Sequence, residues 1–372
     1  MNAPLLALNC GSSSLKYALF DRGESRLASG EVRGIGTLPE VPTHEQAVKE
    51  VFARLARSRA PALGAVAHRF VHGGPKLHTP MFLDDAALAQ LRGLTHFAPL
   101  HLPPALAVVE AARRLAPGVK QLAAFDTDFH WQLPEVARRL PIPRELHDQG
   151  IRRYGFHGLS YAFVRDALGA ALRGEQGGRA VLAHLGAGAS LVALREGAPV
   201  DTTMSFTPTS GVQSATRTGD LDPGVLLFLL RQGATVDALE DLVVHRAGLA
   251  GISEGRSDMQ QLLARSATDA LARLAVESFC MGVRKAVGAL AAVLDGLDAL
   301  VFTGGIGEHS SAIRGAVCQG LGHLGVALDP AANESGAPRI EAAASRCRVH
   351  VIQTDEERML ARSARALLDA AG

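Results

Sequence analysis

LNCGSSSLKYALF, residues 8–20, sets a glycine, three serines and a lysine between two apolar runs. It reads as strand, tight turn, strand, because small hydrogen-bonding residues break the chain between two segments of β pattern. The pattern returns at residues 180–197 as AVLAHLGAGASLVALREG, with an apolar strand at 180–183, a turn carrying Gly186 and Gly188, and a second strand, SLVAL. Both copies open the second strand with a Ser-Leu pair, Ser14-Leu15 and Ser190-Leu191. Gly-rich hairpins can coincide, but two so alike, half a chain apart, point to a duplicated α/β domain. A third element, LDALVFTGGIGEHSSAIRGAV (297–317), reads strand, Gly-rich turn, helix.

Working outward, helices fill the intervals. A short one is expected over 84–93, and a second opens at Pro103-Pro104 and stops near Pro117-Gly118. Apolar residues at helical spacing (Leu271, Leu274, Ala275, Phe279, Val283, Val287) predict a long helix over about 268–295. A last helix is expected to start with Thr354 as N-cap and Glu357 three positions on, a capping box. Strands alternating with helices make an α/β protein. At 372 residues the chain suits two domains, with the hinge expected at 127–150, where Pro134, Pro141 and Pro143 interrupt the pattern.

The balance of 38 Lys plus Arg against 37 Asp plus Glu offers no field for nucleic acid or an acidic membrane. Apolar runs such as VLLFLL (225–230) are too short to cross a bilayer. The start, MNAPLLALNC, lacks the charge and apolar length of a signal peptide. Four scattered cysteines argue against a disulfide frame or structural zinc, so a cytoplasmic protein is expected.

Small residues in a turn let a backbone approach phosphate oxygens, and Lys16 adds a charge nearby. No GxxxxGK[ST] follows, and GGIGEH lacks the dinucleotide spacing. Three separate Gly-rich turns instead suggest a nucleotide clamped between two domains. In AVAHRFVHGGPKLH, Arg69 lies in an apolar strand between His68 and His72, where a buried arginine needs an anionic partner. That partner is either an internal carboxylate or a bound substrate. His101, Asp126, His157, Arg217 and Asp220 each stand among apolar, glycine or proline residues. Singly each histidine reads as structural; together these groups are what a small anionic substrate requires.

LALNCGSSSLK, AHRFVHGG, APLH, FDTDFH, RRYGFHGLS, HLGAGAS, TRTGDLDP and FTGGIGE, in this order, resemble the acetate kinase family over essentially the whole chain. The resemblance implies duplicated actin-like (ribonuclease H-like) ATPase domains with the active site in the cleft between them. The divisions it suggests are 1–129 with the helix 357–372 packed back on it, and 130–356 as the nucleotide-binding domain. It implies reversible transfer between ATP and acetate to give ADP and acetyl phosphate, with Mg²⁺ (or Mn²⁺), in a homodimer. Arg69 and Arg217 match the family's two arginines, His157 and His101 its site histidines, and Asp126 its essential aspartate, here assigned to orienting Arg69 or substrate. Val71, Leu100, Phe156 and Pro208 match the pocket for the acetate methyl. The nucleotide would meet Ser12, Lys16, His184, Leu185, Gly186, Ala187, Gly188, Asp258, Met259, Gln260, Gly305, Ile306, Gly307, Glu308 and His309. Asn9 and Glu356 match the magnesium-linked positions, and the helix dipole also accounts for an acid at 356.

Departures from the family pattern fall on the nucleotide side. Ala187 and His309 stand where asparagine is usual, and Gln260 where arginine is usual. Tyr161 replaces a histidine, and TPTSG (207–211) replaces Thr-Pro-Leu-Glu-Gly. Glutamine offers neither the charge nor the stacking face of arginine. The change reads either as relaxed nucleotide binding or another donor (a different nucleotide, or pyrophosphate), or as drift compensated by neighbours. Two further readings stay open: a propionate or other short-chain acyl kinase, and a nucleotide-gated binding protein on the same fold.

Overall fold

The structure, a computed structural model, describes residues 3–171 and 178–371. It divides into two compact units. The first holds the chain up to Trp131, then His157–Phe163, then everything from Asp355 on; the second holds Gln132–Phe156 and Val164–Thr354. The return of 157–163 to the first unit was not part of the sequence reading, which kept 130–356 together.

The first unit is built on β1 (Leu5–Cys10), β2 (Ser14–Phe20), β3 (Arg26–Arg33), β4 (Ala65–Phe70), β5 (Met81–Phe82) and β6 (Lys120–Phe125), in the order β3-β2-β1-β4-β6-β5. β1, β2 and β3 pair antiparallel, whereas β1, β4 and β6 run parallel. Every residue of β1 is buried because both faces of the sheet are covered. Leu6, Leu8 and Val66 face Val48 and Val51 of the helix His44–Arg57 and Val108 of the helix Leu102–Leu115. Ala7, Ala18, Ala67 and Ala124 share the cluster that includes Leu360, Ala361 and Ala364 of the helix Glu356–Ala370. Alanines on that sheet face let the helix lie close.

The second unit repeats the plan with β7 (Arg179–Leu185), β8 (Ala189–Arg195), β9 (Ala198–Thr202), β10 (Ala299–Thr303) and β11 (Arg348–Val351), ordered β11-β10-β7-β8-β9. Again a three-stranded antiparallel meander leads, and two parallel strands follow on the side of its first strand. The duplication expected from the paired hairpins is present. The long helix Ala270–Leu294 starts on Asp269, whose carboxylate accepts from Leu271 and Ala272 N–H, and buries Phe279, Val283, Val287 and Leu290. Among the described residues no helix is long and apolar enough to cross a membrane.

One terminus differs from expectation. Asp355, not Thr354, caps the last helix, its carboxylate accepting from Arg358 N–H. Thr354 instead donates its own N–H to Glu308, so the expected capping box does not form and Glu357 is left for another role.

Candidate active site

In the first unit, parallel pairing puts Leu8 of β1 beside His68 of β4, and Arg69 beside Ala124 of β6. Asn9, Arg69 and Asp126, far apart in sequence, therefore emerge side by side at the carboxyl ends of three adjacent strands, where α/β sheets place ligands. Arg69 Nε donates to both carboxylate oxygens of Asp126 at 3.0 and 3.1 Å, and Nη2 donates to Oδ2 at 2.5 Å. Nη1 donates to Asn9 Oδ1 at 2.9 Å and stands 4.0 Å from Glu356 Oε2. Asn9 Nδ2 in turn donates to Glu356 Oε2 and Glu357 Oε1, each at 2.9 Å. The Arg69 side chain keeps 16% of its surface exposed, that of Asp126 only 2%. Burial works against the Arg69 charge, but the carboxylates of Asp126 and Glu356 outweigh it and raise its pKa above the ordinary guanidinium range. Burial raises the Asp126 carboxyl above its usual value despite the pull of Arg69.

The internal carboxylate that the sequence offered as one of two partners for Arg69 is present, and it is Asp126. Asp126 spends its oxygens on Arg69, which orients the guanidinium. Glu357, which the sequence reading gave to capping, shares Asn9 with Glu356. Its adjacency to an acid already singled out was the available signal, overridden by the spacing from Thr354.

His157 joins the first unit through its backbone. It sits at φ +58°, a left-handed conformation uncommon outside glycine, and such strain persists where surrounding contacts dictate it. The next residue shows how: Gly158 N–H donates to Asp126 O at 3.0 Å, and a Cβ on Gly158 would lie 2.2 Å from that oxygen. The glycine of YGFHG thus lets the helix Gly158–Ala171 start directly against Asp126. Tyr161, in place of the family's histidine, is fully buried edge-on to His130. His68 pairs Nε2 with Gln121 Oε1 at 2.8 Å, and burial lowers its pKa to about 4. His72 Nδ1 accepts Gly74 N–H. Both are structural. His101 is the half-buried residue before the helix Leu102–Leu115. Val71 is buried, Leu100 is exposed, and Ser12 and Lys16 stand exposed at the first hairpin.

The second unit contains an open cavity of about 650 Å³. Gly186 and Ala187 of the β7–β8 turn line it, with Asp258, Met259 and Gln260, and Gly305, Ile306 and His309 after β10. Three segments scattered over about a third of the chain thus meet in one concavity, and the three departures Ala187, Gln260 and His309 all fall on its wall. Gly304 makes the close approach possible: at φ +74°, a Cβ there would lie 2.8 Å from Leu185 O. Asp258 also caps the helix Met259–Arg265 through Gln261 N–H. The other residues matched to the nucleotide are not among those lining the cavity. Leu185 and Gly307 are buried, as is His184 at the end of β7, and Gly188 lies in the turn. Glu308 accepts from Thr303, Gly304 and Thr354, tying the Gly-rich turn to the segment before the last helix. Phe156 is buried and Pro208 half-buried in this unit, and Arg217 Nη1 donates to Pro208 O at 3.3 Å.

Comparison with known proteins agrees with this arrangement. Residues 4–362 match the model of the acetokinase family. The acetate kinase of Rhodopseudomonas palustris is 42% identical over 99% of each chain. The crystal structure of Porphyromonas gingivalis acetate kinase matches at TM-score 0.87 and 33% identity, over 98% of this chain and 100% of that one. A propionate kinase from Francisella tularensis matches at TM-score 0.91 and 31% identity, over 97% and 98%. Those neighbours share the duplicated actin-like architecture derived above from the two sheets, and the chain belongs to the acetokinase family.

Proposed function

We propose that the chain transfers a phosphoryl group reversibly between ATP and the carboxylate of acetate, giving ADP and acetyl phosphate. The observation that carries this reading is the Arg69 guanidinium, held by Asp126 and Asn9 at the carboxyl ends of the strands. A carboxylic acid with a pKa near that of Asp or Glu is already ionised at neutral pH, so the nucleophile needs no general base. One carboxylate oxygen forms a bond to the γ-phosphorus as the bond from that phosphorus to the β–γ bridging oxygen breaks. The bonding electrons leave with ADP, and no proton moves. The barrier is the approach of two anions, which positioned cations lower. Arg69 and Arg217 supply that charge, and His157 donates to the equatorial oxygens while His101 lines the site. Asp126 positions Arg69. Val71, Leu100, Phe156 and Pro208 are assigned to the methyl, and a pocket that small discriminates one methylene by about 1–3 kcal/mol, making propionate a slower substrate.

The second unit's cavity is assigned to the nucleotide, with Gly186 and Gly305 exposing backbone to phosphate. Ala187, Gln260 and His309 on its wall favour a relaxed donor preference.

Oxygen donors suit Mg²⁺, which keeps several waters and needs few protein ligands. Glu356 and Glu357 converge on Asn9, so the two carboxylates would hold the ion with Asn9 orienting them. When bound, the ion would neutralise phosphate charge. The buried free cysteines suit a reducing cytoplasm, and the partner assigned to the chain is a second copy.

The test is acetyl phosphate formation from acetate and Mg²⁺ with ATP, GTP and pyrophosphate compared side by side. Turnover with ATP is expected. Folded protein inactive with every donor would remove the function and leave the fold.

A further inference from the structure

The parallel pairing of β10 with β11 runs as far as Phe302 and Val351, with one more bond from Ile352 N–H to Phe302 O. Beyond it the two strands part. One enters the Gly-rich turn on the wall of the nucleotide cavity, and the other runs on to Thr354. Glu308 spans the gap. A single oxygen, Oε1, accepts from Gly304 N–H at 2.8 Å, Thr354 N–H at 3.0 Å and Thr303 Oγ1 at 3.2 Å. The backbone behind it is pinned as well. Arg314 Nη1 donates to Gly307 O at 3.0 Å and to Glu308 O at 2.9 Å, and the rest of that buried guanidinium goes to Asn333. The carboxylate is therefore fixed at both ends, in a turn whose residues Gly305, Ile306 and His309 line the cavity.

The clip needs an acceptor, and a glutamine would supply one. The carboxylate adds a negative charge. Its side chain is 11% exposed, and among the described residues its only ionic neighbour is His309, with Nε2 3.9 Å from Oε2. Arg314 meets Glu308 at the backbone carbonyl, not at the carboxylate. A negative charge beside a phosphate-binding turn repels a bare diphosphate or triphosphate. It repels far less a nucleotide whose charge a bound Mg²⁺ has already reduced.

We propose that Glu308 determines which form of the nucleotide the cavity takes: its carboxylate clips the Gly-rich turn to Thr354 and, by its charge, makes the turn select the magnesium-bound nucleotide over the free one. The inference rests on the assignment of this cavity to the nucleotide and of Gly305 to its phosphates. Glu308 is a positioning and specificity-determining residue, acting through the turn and its field.

The experiment measures ADP affinity by calorimetry, once with excess Mg²⁺ and once with EDTA, for wild type, Glu308→Gln and Glu308→Asp. Wild type is expected to bind ADP more tightly with Mg²⁺. Glu308→Gln keeps an oxygen for the clip and loses the charge. Its affinity for metal-free ADP should rise about fivefold, the scale of one unit charge acting through water-like surroundings, while affinity with Mg²⁺ changes less than about twofold. Glu308→Asp, one methylene short of the clip but still charged, should weaken both forms and keep their ratio near that of wild type. Comparing Glu308→Ala with Glu308→Asp separates charge from clip again, without relying on the amide. An unchanged ratio in Glu308→Gln, or equal ratios in the alanine and aspartate variants, overturns selection by charge. Wild-type affinities in Glu308→Asp overturn the clip. Wild type that binds ADP under neither condition overturns instead the assignment of the cavity, a failure distinct from the other two.

Discussion

Replacing Asp126 by asparagine tests the centre of the first unit most directly. Cutting one side of a buried ion pair costs about 3–5 kcal/mol, because the remaining charge is stranded. Asparagine keeps one oxygen that can accept from Nη2, Asn9 Oδ1 remains 2.9 Å from Nη1, and Glu356 lies 4.0 Å away. These partners offset part of the loss, so about 2–3 kcal/mol of destabilisation is expected. The guanidinium, no longer held by a carboxylate, turns toward Glu356, and a displacement near 1 Å costs about 10²-fold in turnover. Urea unfolding, with the slope compared between variants, reads the first number, and acetyl phosphate formation reads the second. A double-mutant cycle with Arg69→Met should give a coupling of about 2 kcal/mol. If Asp126→Asn lost less than about 0.5 kcal/mol while turnover collapsed, Asp126 would act on the substrate directly, and the orienting argument would be refuted.

Gly158→Ala should destabilise by about 1–3 kcal/mol and lower kcat, since its Cβ meets Asp126 O at 2.2 Å and displaces both His157 and Asp126; a thermal melt with kinetics checks it, and a neutral effect would mean that the helix start is free to shift. Gln260→Arg should tighten ATP binding several-fold by restoring a planar cation to the cavity wall, read by calorimetry; unchanged affinity would mean the other wall residues already compensate. His68, neutral in the fold with a pKa of about 4 against 6.5 when unfolded, contributes stability that is fully present above pH 6.5. As pH falls from 6.5 to 4 the unfolded chain binds the proton first, and about 3 kcal/mol is lost. Unfolding of wild type and His68→Gln across that window should show the slope flattened in the variant, and parallel slopes would reject the assignment.

How much of this was legible in one dimension depends on how local each cause is. The hairpins at 8–20 and 180–197 are local, and their turn chemistry and alternation suffice to see them. The long helix shows its spacing and, at Asp269, its cap. The identity of Arg69 and Asp126 as a pair is not local, because it depends on β4 and β6 lying in parallel register across more than fifty intervening residues. Glu357 was misread for the same reason, since a plausible partner three residues away hid the real one, Asn9, at the other end of the sequence. The exposure of the VLLFLL run was not legible either. Burial is decided by what packs against a helix, and its neighbour Val236–His245 leaves Leu227 and Phe228 half exposed.

The way the first unit closes has a consequence for biosynthesis. β1 leaves the ribosome well before the helix that covers Ala7, Ala18 and Ala67, with the whole second unit made in between. The second unit, nearly continuous from Gln132 to Thr354, can complete its fold while the first still lacks that cover. Glu356 and Glu357 arrive on the same late helix, so the carboxylates around Asn9 and the lid of the core appear together. A chain halted before residue 355 would keep the second unit's cavity but lack the carboxylates around Asn9, and its bare alanine face would mark it for chaperones or proteases.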